Sequence, residues 1–264
     1  MYKHIFNGVF LAMVGTSSFA QQAPTIIPIE TRQNVLVLQT DKENHLGITY
    51  FGKKLSQAAE YKLIPSQSRQ RDGNAGIYNS AYTPAGTWNV SEPALQLTHG
   101  DGNKSLDLVY VSHNTAKEND NVSLTSIFLK DPVYAVEVTL FYKTYFQENV
   151  VEQWSVIKSE EKKPITLQKY ASANLYFIAK DYYLTHYNGT WAKEMNPEEE
   201  LLTAGIRVLD SNSEHAPIFI SHPVFHCHLI NLQQKRKEKF YWEHWPGREI
   251  SKWNLRLIRI IICD

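Results

Sequence analysis

The chain has 264 residues, 43% of them hydrophobic and 12% aromatic, which is enough to bury one large core. Its 27 basic and 27 acidic residues cancel, which excludes the strongly charged surface that nucleic acid or an anionic membrane selects. Two cysteines, Cys227 and Cys263, are too few for a disulfide-built scaffold, although in an exported chain they are enough for one bridge.

Residues 1–20 read as an export leader. Lys3 and His4 precede an apolar run from Ile5 to Val14, and Ser18-Phe19-Ala20 supplies the small residues that signal peptidase requires. The mature chain is expected to begin at Gln21, in the periplasm or outside the cell, with no membrane contact once the leader is removed. Asn34 to Thr40 and His45 to Phe51 then read as two strands joined by Asp41-Lys42-Glu43-Asn44. Tyr61 to Ala85 is polar and carries Pro65, Gly73, Gly76 and Pro84, so it is expected to be a long loop.

Pro93 to His113 places two alternating apolar runs on either side of Gly100-Asp101-Gly102-Asn103, the pattern of a β-hairpin. Leu124 to Leu129 and Ala135 to Tyr145 continue the alternation. In the second, Val136, Val138, Leu140 and Tyr142 share one face, and Glu137, Thr139 and Lys143 the other. Val151 to Lys158, Ile165 to Tyr170, Ala173 to Ile178 and Gly205 to Leu209 add further short strands. Helical periodicity is almost absent, so the expected architecture is a large antiparallel all-β sandwich with little helix. One helical turn is expected after Asn196, where Pro197 and Glu198-Glu199-Glu200 suit a first turn.

Few residues suggest chemistry. His222, His226, Cys227 and His228 are zinc-ligand types, and 226 and 228 share a face if extended, but no second cluster completes a site, and no metal or cofactor is expected. Asp101, Asp107, Asp131 and Asp181 are carboxylates that nothing in the sequence pairs for glycoside hydrolysis, so no catalytic residue is assigned. No nucleophile elbow, phosphate loop or dinucleotide fingerprint is present. Trp88, Trp191 and Trp154, with Tyr182, Tyr183 and Tyr187, are the aromatics that a sugar-binding sandwich would use, although most aromatics in such folds are core. That makes a free-standing carbohydrate-binding module the alternative reading. Three sequons, at Asn103, Asn121 and Asn188, fall in expected turns.

Several stretches resemble the N-terminal region of glycoside hydrolase family 36, the α-galactosidases. They are Glu92-Pro93-Ala94-Leu95, Asp101-Gly102, Leu106 to His113, Glu137 to Leu140, Leu184 to Glu194, Leu209-Asp210-Ser211 and His222-Pro223-Val224-Phe225. They follow in the family's order and cover roughly residues 30–225. Asn89-Val90-Ser91 departs from the Asp-aromatic-Arg run frequent in the family before the proline. The resemblance implies a large N-terminal β-sandwich (a supersandwich) packed, in whole enzymes, on a (β/α)₈ barrel that holds two catalytic aspartates. That barrel is not among these residues, so no catalytic residue transfers and substrate-binding residues stay unassigned, with a galactoside as the expected partner class. In some members the loop matching Tyr61 to Ala85 approaches a neighbouring subunit's active site.

After Phe225 the character changes to a basic, tryptophan-rich tail. Back-translating Trp242 to Ser251 permits TGG GAA CAT TGG CCT GGT CGG GAA ATT TC. Read two bases along, this gives Gly-Thr-Leu-Ala-Trp-Ser-Gly-Asn-Phe, which fits the strand pair that the resemblance implies here. Residues 225–229 shift in the same way to Ser-Leu-Ser-Leu. The expected organisation is therefore a leader over 1–20, a β-sandwich over 21–225, and a tail over 226–264 in a shifted reading frame, which leaves the chain truncated and inactive alone.

Overall fold

The computed structural model describes residues 23–65, 79–86, 92–176, 182–190, 193–203, 225–230, 237–244 and 258–263. Within them lie the strands β1 Ile26–Glu30, β2 Asn34–Thr40, β3 Leu46–Lys53, β4 Leu95–Thr98, β5 Val109–Lys117, β6 Val122–Lys130 and β7 Val136–Tyr145. They continue with β8 Val150–Ser159, β9 Thr166–Tyr170, β10 Tyr182–Thr190, β11 Lys193–Leu201, β12 Phe225–Ile230, β13 Lys237–His244 and β14 Ile258–Cys263. A 3-10 helix, Ala58–Leu63, is the helical element among these residues. The leader, Asp181 and the expected strand Gly205 to Leu209 lie outside the described residues.

Three antiparallel sheets result. One has the order β1-β2-β3, another pairs β4 with β9, and the large one runs β11-β10-β12-β13-β14-β8-β7-β6-β5. β7 shows the alternation its sequence dictates, with Val136, Val138, Leu140 and Tyr142 buried and the intervening residues half-exposed. Those side chains meet Ile27, Ile29, Leu36 and Leu38 of the three-stranded sheet, and Leu95 and Leu97 of β4, in one core. β2 is buried along its whole length because both faces are covered. Leu36 and Leu38 enter the main core, whereas Val35 and Val37 pack on Tyr61 of the 3-10 helix.

Four expectations change. Pro93 to His113 is not a hairpin, because β4 pairs with β9 and β5 with β6, so the turn between them passes the chain from one sheet to another. The end of Tyr61 to Ala85 is core: Asn79 to Pro84 is buried and Tyr82 is 2% exposed. Ala173 to Tyr176 is not a strand; Asn174 instead donates from Nδ2 to Ser80 O and Thr83 Oγ1, both at 2.9 Å. Residues after Asn196 form β11 rather than a helical turn. Pro197 pairs with Tyr187 at the margin of the large sheet, where its missing N–H breaks no ladder.

The tail contributes β12, β13 and β14 in the interior of the large sheet, between β10 and β8. Register aligns Val151 with Ile260, Ile260 with Trp242, Trp242 with Phe225 and Phe225 with His186. Cys227 lies opposite Phe240 and Cys263 opposite Lys239.

Candidate functional site

The densest polar constellation gathers where the sandwich's turns meet, around His99 and His45. The turn after β4 closes through His99 N–H to Asn103 O (2.8 Å) and Gly102 N–H to His99 O (2.9 Å). Asp101 Oδ1 accepts the Asn103 N–H at 2.9 Å, and Gly102 takes φ +91°, where a side chain would be strained. This local chemistry turns His99 inward. Its Nδ1 lies 2.6 Å from Glu161 Oε1 and its Nε2 3.0 Å from Ser105 O. Glu161 Oε2 also accepts the Gly100 N–H at 3.0 Å, and the Tyr134 ring stacks on the imidazole at 3.5 Å. Tyr134 donates its hydroxyl hydrogen to Asp101 Oδ2 (2.9 Å) and accepts from Asn103 Nδ2 (2.8 Å).

A second buried imidazole stands nearby in the chain of contacts. His45 donates from Nε2 to Asp107 Oδ1 at 2.9 Å, and its Nδ1 is 3.4 Å from Asp41 Oδ2. Burial alone pulls its pKa down, but Asp107 and then Asp41 outweigh that and raise it to about 9. Asp41 shows the mirror effect. Burial pushes its carboxyl up, the His45 contacts pull harder, and the net shift is downward. Asp107 N–H in turn bonds Asp131 Oδ2 at 2.8 Å, and Asp131 Oδ1 caps the N–H groups of Val133 and Tyr134. One polar chain therefore runs from Asp41 through His45, Asp107, Asp131 and Tyr134 to His99 and Glu161.

Of the carboxylates picked out in the sequence, Asp101 holds a turn, Asp107 a histidine and Asp131 backbone N–H groups. Ligand atoms of Asp41, Glu43 and His45 lie within 4.8 Å of one another, the group of metal-ligand type among the described residues. The ion pairs of His45 with Asp41 and Asp107 account for that arrangement without an ion. His226, Cys227 and His228 lie on β12, and His222 lies outside the described residues. Trp88 and Trp191 also lie outside them. Trp154 stacks on Phe141 of the neighbouring strand, with centroids 5.1 Å apart and planes 8° from parallel, as a cross-strand pair.

The described residues form antiparallel sheets whose turns are tied by buried histidine–carboxylate pairs. Residues 44–228 match the glycosyl hydrolase family 36 N-terminal domain, and the chain belongs to that family. Among curated proteins it is 26% identical over 210 residues to α-galactosidase Mel36A of Lactobacillus acidophilus, which covers 70% of this chain and 29% of that protein. It is 24% identical over 198 residues to α-galactosidase AgaA of Geobacillus stearothermophilus, covering 66% of this chain and 27% of the relative. The chain thus spans less than a third of the length of these relatives. A solved structure of an AgaA variant with 1-deoxygalactonojirimycin superposes with a TM-score of 0.73 at 18% identity, over 91% of this chain and 41% of that one. The fold is that of the N-terminal domain, and the catalytic barrel is not among the 264 residues.

The sequence reading missed His45, His99 and Glu161. The signal available was a histidine beside each turn, His45 after Asp41-Lys42-Glu43-Asn44 and His99 before Gly100-Asp101-Gly102, and it does not name the distant carboxylate.

Proposed function

We propose that residues 21–225 serve as the N-terminal β-sandwich of an exported α-galactosidase-like protein, and that residues 226–264 stand in for its continuation after a frame shift near Phe225. The observation that carries this reading is the family match over 44–228, joined to α-galactosidase relatives of which the chain spans 29% and 27%. Solved AgaA variants hold raffinose and stachyose, which supports terminal α-galactosides as the substrate class of the whole protein. The reaction of that whole protein is retaining hydrolysis, with two carboxylates about 5 Å apart, one as nucleophile and one as acid and base. In the present chain the aspartates at 101, 107 and 131 hold structure instead, so the chain by itself is inactive.

The purified full chain is expected to release no chromophore from a chromogenic α-galactoside. Turnover by a preparation free of other glycosidases overturns the inactive assignment. Reading the gene past the stop codon tests the tail, since a barrel-length open frame in the shifted register is expected and immediate closure sinks the idea. Export is checked by sequencing the N-terminus of the processed product, expected at Gln21.

A further inference from the structure

The outer face of the large sheet, opposite the core, carries an exposed ring set among side chains with unused hydrogen-bonding capacity. Phe128 on β6 is 41% exposed. Register places Ser112 of β5 on one side of it and Thr139 of β7 on the other, each about 5 Å away, with Ser126 two residues along its own strand and Asn114 opposite Ser126. Ser112 and Asn114 are exposed and Ser126 and Thr139 half-buried; none of the four side chains bonds to another described residue. The Phe128 ring likewise stacks on no other ring among the described residues, whereas Phe141, in the row of Asn114 and Ser126, backs onto Trp154. At either end the charges neutralise one another, Lys130 with Glu137 at 3.6 Å and Lys143 with Glu118 at 2.6 Å, so the face between them is uncharged.

We propose that this face binds a neutral oligosaccharide, with a terminal galactose lying on the Phe128 ring. Size decides against a polypeptide: strand spacing and rise give roughly 300 Å², well below the ~800 Å² per partner of a stable protein interface. It is enough for a short oligosaccharide. Chemistry decides for a sugar, because a pyranose has an apolar C–H face that a ring can cover and hydroxyls around its edge. Laid on Phe128, a pyranose turns those hydroxyls towards Ser112, Thr139, Ser126 and Asn114, whose hydroxyl and amide groups both donate and accept. Galactose suits the ring better than glucose, since its axial 4-hydroxyl leaves the opposite face a continuous run of C–H groups. The choice of galactose rests on the substrate class proposed above; the neutral face does not. One exposed ring and a few polar contacts on an open sheet correspond to a dissociation constant of about 1 mM.

Isothermal titration of the full chain with stachyose, carried to roughly 20 mM to bracket that constant, is expected to give saturable binding, with maltotetraose, built of glucose, at least about fivefold weaker. Phe128→Ala should weaken stachyose binding at least about tenfold, and Asn114→Ala, on the strand at the sheet margin, about threefold. Melting midpoints within about 2 °C of the parent mark the fold as intact in both variants. No saturable binding of stachyose overturns the proposal, as does binding indifferent to Phe128→Ala. Maltotetraose bound as tightly as stachyose overturns the galactose assignment. Turnover of a chromogenic galactoside, or immediate closure of the shifted frame, would sink the function proposed above without touching this surface, so the two fail separately.

Discussion

The His45 imidazole, 6% exposed, donates to the Asp107 carboxylate at 2.9 Å and thereby clamps the β2–β3 turn to the entry of β5. The same contact is joined by backbone pairing, since His45 and Val109 form an isolated antiparallel bridge. Two segments that are 62 residues apart in sequence are thus joined by a charged hydrogen bond beside backbone pairing.

That bond makes stability depend on pH in a definite direction. The folded pKa of His45 is raised from 6.5 to about 9. Its stabilisation is therefore complete below about pH 6.5 and is lost as pH rises through about 9. Discounted for solvent at the turn, the loss is roughly 2 kcal/mol. Asp41 works in the opposite sense: its lowered pKa contributes above its unfolded value of 3.8 and is lost on acidification. Urea midpoints measured from pH 5 to 10 should fall between 6.5 and 9 in the parent chain and stay nearly flat there in His45→Gln. A parent profile as flat as the variant's removes the clamp.

Gly100 and Gly102, two residues apart, should respond differently to substitution. A Cβ on Gly100 would sit 2.4 Å from Lys163 Cβ, so the turn or the 161–163 segment must move, which costs about 1–3 kcal/mol. Gly102 has open space around it, and its cost is only that of φ +91°, about 1–2 kcal/mol and smaller for asparagine. Gly102→Asn should consequently be nearly silent in denaturant unfolding, while Gly100→Ala shifts the midpoint clearly. Equal effects would show that backbone conformation rather than packing governs the turn.

These residues also mark where sequence reasoning ran out. The hairpin β2–β3 and the alternation of β7 were legible because period-two patterning and Asp/Asn turn chemistry act over a few residues. The pairing of β4 with β9 was not legible, because it joins residues some 70 positions apart and only the shared core selects it. Pro197 shows the same limit: beside three glutamates it has the chemistry of a helix start, yet β10 offers a margin where a proline strand is tolerated. His99 and Glu161 lie 62 residues apart, and no local pattern links an imidazole to a particular distant carboxylate.

Tyr82 offers the sharpest test of the segment whose sequence reads as a polar loop. Its side chain is 2% exposed and lies in the main core, with the hydroxyl donating to Ala171 O at 2.8 Å and lying 3.3 Å from Ser155 Oγ. Burial pushes that phenol's pKa up, so it remains a neutral donor across the accessible range. Tyr82→Phe keeps the ring volume and strips one donor from a buried carbonyl, for an expected loss of about 1 kcal/mol. Tyr82→Ala removes the ring as well and should cost about 3–5 kcal/mol, the price of a large cavity between sheets. Measured by urea unfolding, the ratio of the two losses separates packing from hydrogen bonding. If Tyr82→Ala destabilises no more than Tyr82→Phe, the segment Asn79 to Pro84 is not part of the core.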